Sequence, residues 1–215
     1  MKSVLLLVLV FLIPFGLYAQ SDSLKVERFY KNSKQLREVY YISLDSVKNG
    51  PYIEYNSKGK KLKEGRYTKD YPSGIWHYYE NNNWNRLYSV FDWDTMKEIE
   101  YKYVSNRKRT SPSDSFCRFP GGEIVFFHYI LEQGRRILTK FPNLEGKAKV
   151  TIQLEQGRQV KVVKTEWFDQ EGKKATINSQ VEAELKAMFE KMPAWLQCPP
   201  DPKPGFQYVI PILFT

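Results

Sequence analysis

The stretch SFCRFPGGEIVFFHYILEQ, Ser115 to Gln133, puts a proline and two glycines directly before a run that alternates between apolar and charged faces. Pro120 restricts its own φ, and Gly121 and Gly122 open backbone conformations closed to other residues. Such a mouth can be a phosphate cradle, a hinge or a helix start. A phosphate loop wants a strand before it and a Lys or Ser/Thr just inside the helix. Here Glu123-Ile124-Val125 follow, and a carboxylate repels phosphate. The stretch therefore reads as a start signal: Phe119 packs, Pro120 sets the approach, and the glycines turn the backbone into a helix from about Gly122 to Thr139. Ile124, Phe127, Leu131 and Leu138 fall on one face at helical spacing and form its predicted buried stripe. Gly134 is predicted to bend the helix or end it early.

Beyond "FPNLEG", Ala148, Val150, Ile152 and Leu154 alternate with period two, as a half-buried strand does. Glu155 to Gly157 turn the chain, and Val160 and Val162 begin the returning strand. "FDQEGKK" is a further turn. Ser179 and Glu182 have the spacing of a capping box. Val181, Leu185, Met188 and Met192 make the stripe of a second helix, which Pro193 stops. The last strand is QYVIPILF, with Tyr208, Ile210, Ile212 and Phe214 on one face and Val209 and Leu213 on the other. Pro211 lacks an N–H, which marks this strand as an edge. An edge offers unpaired N–H and C=O groups to a guest strand.

Upstream the chain repeats. GPYIEY, from Gly50, returns as GIWHYY, from Gly74, with one offset relating Gly50 to Gly74, Tyr52 to Trp76 and Tyr55 to Tyr79. Between them SKGKKLKEGRY reads as a turn at Ser57 to Lys60 and a strand from Lys61 to Tyr67. Weaker copies flank the pair in KNSKQLREVYY and NNNWNRLYSV. Each unit is a predicted hairpin, and repeats of this length stack so that each buries its face on the next. Gly50 and Gly74 permit tight turns. The aromatics supply the area a thin sheet otherwise lacks. Lys58, Lys60, Lys61 and Lys63 read as a solvated hairpin edge.

The two ends and the middle complete the layout. MKSVLLLVLVFLIPFGLYA has one cation, Lys2, an apolar core broken by Pro14, and Ala19 before the polar QSDS. This is the pattern of a secretory signal peptide cleaved after Ala19, with inner-membrane anchoring as the alternative. SNRKRTSPSDS reads as a linker, and its Arg107-Lys108-Arg109 is too short to argue nucleic acid. The expected organisation is a signal peptide over 1–19, hairpin repeats over 20–103, a linker over 104–116 and an αββαβ unit over 117–215, an α+β chain. Its net charge is +9. In an exported protein that charge favours an anionic lipid, a glycan or an acidic partner over nucleic acid.

No catalytic constellation stands out. His77 and His128 fall in different halves, and Glu98 and Glu100 lie in a charged strand as solvated carboxylates. Cys117 and Cys198, the only cysteines, are too few for a Cys-rich zinc site. The chain is read as a non-enzyme without cofactor or metal.

The repeat spacing resembles the MORN-like repeats of the YwqK antitoxin-like family. The second half resembles the TonB C-terminal domain, in the form common among periplasmic proteins of the Bacteroidetes type. Phe119-Pro120-Gly121-Gly122, the strand from Gly146, the hairpin Gly157, Met192-Pro193-Ala194-Trp195 and Pro211-Ile212-Leu213-Phe214 match that domain in order. The departures are the absent long Pro-rich linker and LQCPPDPKPG after Trp195. The resemblance implies a two-helix, three-stranded antiparallel domain in the periplasm or cell envelope. It also implies a partner such as an outer-membrane TonB-dependent receptor or a related complex. An extended peptide would add to the edge along Tyr208, Val209, Ile210, Pro211, Ile212 and Leu213. In the implied fold Cys117 and Cys198 flank the same sheet, so their ends could approach for a disulfide. The alternative is an envelope-surface protein that contacts protein, lipid or glycan through its hairpin repeats, at Tyr52, Tyr55, Trp76 and Tyr79, with the second half as scaffold.

Overall fold

Alternation and turn chemistry build the first half as a meander. The computed structural model describes residues 23–81, 86–102, 117–155, 159–196 and 207–215. The predicted signal peptide, the linker with Arg107-Lys108-Arg109, Gly157 and Cys198 lie outside these residues. Strands β1 (Leu24–Phe29), β2 (Leu36–Ile42), β3 (Lys48–Tyr55), β4 (Lys61–Thr68), β5 (Tyr71–Tyr79), β6 (Leu87–Asp92) and β7 (Lys97–Tyr101) form one antiparallel sheet in sequential order. At the β4–β5 turn Lys69 and Asp70 both have positive φ, 51° and 65°. That is the twist a two-residue hairpin needs. Asp70 is held there by its neighbours, since its carboxylate accepts the Lys48 N–H at 2.7 Å.

The repeat aromatics divide between the two faces. Register shifts at Glu54/Tyr55 and Tyr78/Tyr79 interrupt the ladders where the second aromatic of each unit falls. Tyr52 and Trp76 point into the core and are buried, whereas Tyr55 and Tyr79 are half-buried. The inner face is a file of rings: Tyr40, Tyr52, Tyr67, Trp76, Tyr78, Phe91 and Trp93, all buried. Neighbouring centroids lie 5.2 Å (Tyr52–Tyr67), 5.3 Å (Tyr67–Trp76) and 6.3 Å (Trp76–Tyr78) apart. Gly65 carries no side chain because the Trp76 indole fills the space a Cβ would take. Lys63 is not solvated as expected: its ammonium pairs with Glu54 at 3.2 Å and its side chain is only 15% exposed.

The second half contains α1 (Gly122–Lys140), β8 (Gly146–Leu154), β9 (Val160–Phe168), β10 (Lys174–Ala175), α2 (Ser179–Glu190) and β11 (Gln207–Phe214). Its sheet has four strands rather than three, in the order β10-β9-β8-β11, every pair antiparallel. The extra strand is the two-residue β10, which follows the turn read in FDQEGKK and pairs back onto the end of β9. The cap of α2 is Asn178, one residue before the predicted serine, and its side chain accepts the Gln180 N–H at 2.8 Å. The chain is α+β. Among the described residues no helix is long and apolar enough to cross a membrane.

Helix α1 joins the two sheets. It lies against β5 and β6 on one side and against α2 and β11 on the other. One continuous core therefore runs from Tyr40 of the meander to Phe214 of β11. The helix continues through Gly134 without ending early. Its buried stripe is not the predicted one: Phe127 and Leu131 are 54% and 57% exposed, and Ile124 and Leu138 are only partly buried. The buried positions include Val125, His128, Tyr129, Glu132 and Ile137. The stripe is rotated by about one residue, roughly 100° of helix. Periodicity counts apolar residues, and it cannot see that the meander offers polar partners to His128 and Glu132.

Candidate functional site: an edge strand and the clasp behind it

The residues that matched the second-half motifs converge. Arg118 and Leu196 form an isolated antiparallel bridge, with N–H to O distances of 2.8 and 2.6 Å. This brings Phe119 to Trp195, ring centroids 6.2 Å apart and perpendicular. Phe119 also meets Phe126 at 5.5 Å, Tyr129 at 5.8 Å and Phe91 of the meander at 6.4 Å. Pro120, Gly121, Gly122 and Met192 are buried around it, while Pro193 is half-buried. Trp195 in turn stacks on Tyr208 of β11 at 5.2 Å, and Tyr208 hydrogen-bonds the backbone of Cys117. Cys117 is disulfide-bonded. The only other cysteine of the chain, Cys198, lies outside the described residues.

Glu98 closes the clasp and is not the solvated carboxylate expected. It accepts both terminal nitrogens of the Arg118 guanidinium, the second at 3.0 Å, and the Gly121 N–H at 2.5 Å. The Arg118 guanidinium stacks 3.9 Å from the centre of the Tyr101 ring. An anion at a helix start also complements the positive end of the helix dipole. Gly121 and Gly122 have φ of 80° and 79°, the left-handed region. A Cβ on Gly121 would stand 2.5 Å from Val125, and one on Gly122 would stand 2.5 Å from Tyr101. The glycines thus serve both conformation and close packing against β7. Gly121→Ala is expected to lower stability by about 1–3 kcal/mol from backbone strain and crowding. A urea melt within about 0.5 kcal/mol of wild type would contradict that account.

Among the described residues strand β11 is an edge of its sheet, paired only with β8 from Gln207↔Gln153 to Phe214↔Gly146. Ile210, Ile212 and Phe214 face the helices and are buried, with Tyr208 half-buried beside them. Val209 and Leu213 are 60% and 70% exposed, and Pro211 is exposed between them. N–H and C=O of one residue point to the same side of an antiparallel strand. The ladder runs unbroken past Pro211, which has no N–H to give β8, so its backbone faces outward. By the same parity the N–H groups of Val209 and Leu213 face outward and those of Tyr208, Ile210 and Ile212 face β8. The six residues expected along the edge thus separate: three carry the open backbone, and three hold the strand to its sheet.

The repeat aromatics differ in exposure, with Tyr55 and Tyr79 half-buried. Tyr52 and Trp76 are core rungs. Tyr55 accepts the Tyr30 hydroxyl on its carbonyl at 2.7 Å, and the Tyr79 hydroxyl donates to Glu64 at 2.5 Å.

The polar centre that periodicity did not reveal is where α1 meets the meander. Trp93 Nε1 donates to the Tyr78 hydroxyl at 2.8 Å, and Tyr78 lies 2.8 Å from His128 Nδ1. The Tyr78 oxygen accepts from the indole, so its own proton goes to Nδ1, and His128 carries its proton on Nε2. That nitrogen is 3.4 Å from both Glu132 Oε1 and the Tyr67 hydroxyl. Glu132 also accepts from Tyr67 at 2.9 Å and from Arg135 at 2.6 Å. The His128 ring packs 4.8 Å from Trp76 and 4.9 Å from Trp93. Burial pushes the His128 imidazole down to about 4. Burial alone would raise Glu132, but hydrogen bonds from His128 and Tyr67 and the charge of Arg135 outweigh it and hold the carboxyl well below its usual range. Burial pushes the Tyr67 and Tyr78 hydroxyls far up, so both stay protonated donors. Every donor here has an acceptor only while His128 is neutral, which makes the network a lock between helix and sheet. The His128–Glu132 spacing, one helical turn, was the one legible sign of it. His77 lies on the opposite face of β5 from Trp76 and Tyr78, away from the lock. Among the described residues no group of three or more His, Cys, Asp or Glu could hold a metal ion.

Comparison with family models, with curated proteins and with solved structures finds no match to this chain.

Proposed function

We propose that this protein is a non-enzymatic binding module of the cell envelope that takes an extended peptide of a protein partner as an added strand on β11. The carrying observation is the state of that edge: an eight-residue strand with one side unpaired among the described residues, exposed Val209 and Leu213, and an outward-facing Pro211. In strand addition main-chain bonds give affinity and alternate side-chain positions give selectivity. The TonB-like order of motifs and the predicted export signal support an envelope partner, such as an outer-membrane transport protein. Contact through the repeats has less support, because their aromatic rungs are occupied within the fold.

The test turns on backbone parity. Peptides selected on the full chain from a random displayed library should protect the Val209 and Leu213 amides from hydrogen exchange when bound. Val209→Pro removes an outward donor at an exposed position. It should weaken those peptides at least about tenfold, the loss of one or more interface hydrogen bonds, with the circular dichroism unchanged. Ile210→Pro instead removes a bond to β8 from a buried residue and should destabilise the whole chain. Undiminished binding by a folded Val209→Pro protein, or protection elsewhere than β11, would sink the reading.

A further inference from the structure

The face of the four-stranded sheet turned away from the helices carries a cleft of about 480 Å³, lined among others by Lys147, Lys149, Phe168 and Leu213 and by the carboxylates of Glu145 and Asp169. Cross-strand register aligns Leu213, Lys147 and Phe168 in one row over β11, β8 and β9, with Pro211, Lys149 and Glu166 in the row behind. Residues directly opposite share a face, so the first row alternates apolar, cationic, apolar. The Lys149 ammonium reaches back over the Phe168 ring, 4.7 Å from its centroid.

The charges of this face are unevenly satisfied. Lys164 and Lys174 share Glu166 at 3.0 Å each, and Lys161 pairs with Glu155 at 3.0 Å. Among the described residues Lys147 and Lys149 have no carboxylate within ion-pair distance. The two carboxylates of the lining are engaged by their own loop: Glu145 accepts from Gln170, and Asp169 accepts the Lys173 N–H at 2.8 Å. The cleft therefore combines two lysines that make no ion pair among the described residues with an exposed leucine and an aromatic ring, while the Glu145 and Asp169 carboxylates are turned to donors of their own loop. Its size falls within the range of small-molecule sites.

We propose that this cleft binds a small carboxylic acid with an aromatic or aliphatic body, its carboxylate between Lys147 and Lys149 and its body against Leu213 and Phe168. Charge-assisted hydrogen bonds from the ammonium groups orient the acid, and burial of the body against apolar side chains adds affinity. The site does not depend on strand addition at β11, although it adjoins the end of that strand.

Phenylacetate titrated into the full chain, followed by amide NMR, tests the assignment. Saturable shifts are expected at Lys147, Lys149, Phe168 and Leu213, with a dissociation constant in the millimolar range or below. Acetate, which lacks the body, and phenethylamine, which reverses the charge, should each bind at least about tenfold more weakly, the worth of a charged hydrogen bond or a buried ring. Lys147→Met with Lys149→Met should weaken phenylacetate by a similar factor. The paired arginine substitutions should retain it. No saturable shift with phenylacetate, equal binding of phenethylamine, or an unaffected double methionine variant would each overturn the proposal. The ligand comparison on the wild-type chain decides it even where a substitution disturbs folding.

Discussion

Trp76→Ala should lower stability by about 3–5 kcal/mol, the range for truncating a fully buried large aromatic residue. The indole is fully buried and touches Tyr52, Tyr67, Tyr78, Trp93 and His128. It is thus the point where the ring file of the meander meets α1. Gly65→Ala attacks the same contact from the other side, since its methyl would occupy the space of the indole. Overpacking of this kind is worth about 1–3 kcal/mol. The two substitutions should be strongly non-additive, because the added methyl fills space that the missing indole vacates. Denaturant melts of both single variants and the double variant check this. A double variant whose loss equals the sum of the two singles would show that the glycine does not exist for the tryptophan.

Acid should weaken the fold well above the pH at which carboxylates usually protonate. His128 binds its proton near 6.5 when unfolded but only near pH 4 when folded. Its folded value is depressed, so its contribution is whole above about pH 6.5 and is lost as pH falls towards 4. A gap of this size corresponds to about 3 kcal/mol. Glu132 is depressed too, so its share is lost at lower pH still, below the ordinary glutamate range. Urea midpoints measured from pH 7 to pH 4 should therefore fall steadily in the wild type. His128→Gln should be less stable at pH 7 but nearly flat over the same interval. A flat wild-type profile, or an equal slope in the variant, would remove His128 as the cause.

The lock also bears on how the chain can be divided. The linker over 104–116 is the natural cut by composition, yet the core does not divide there. Separating the halves would strip His128 and Glu132 from Tyr67 and Tyr78, and Phe119 from Phe91. Buried polar groups left without partners cost about 1–3 kcal/mol each. Binding experiments therefore belong on the full chain, with single substitutions rather than truncations.

Local patterns were enough for the order of the longer elements of the second half, though not for the two-residue β10. The alternation of Ala148, Val150 and Ile152 marked a strand with one buried face, and the stripe of Val181, Leu185 and Met188 marked α2. Both follow from periodicities of two and 3.6 residues, which a linear chain carries in full. Pro211 marked an edge because a missing N–H is a property of one residue, wherever the strand lies. The glycines before α1 signalled a turn into a helix for the same reason.

Tertiary structure alone decided which face of α1 and of β11 is buried and what the polar residues do. Along α1 the apolar count favoured Phe127 and Leu131, but burial followed His128 and Glu132. The free energy of burying a polar group depends on its partners, and those partners sit on strands dozens of residues away. Glu98 looked like any strand carboxylate until the fold brought Arg118 and the Gly121 N–H to it. Tyr208 to Leu213 could be named as an edge from sequence, but only the pairing with β8 shows that Val209 and Leu213 point their N–H groups outward. Parity of side chains is written in a sequence, whereas the partner of each backbone group is a property of the assembled sheet.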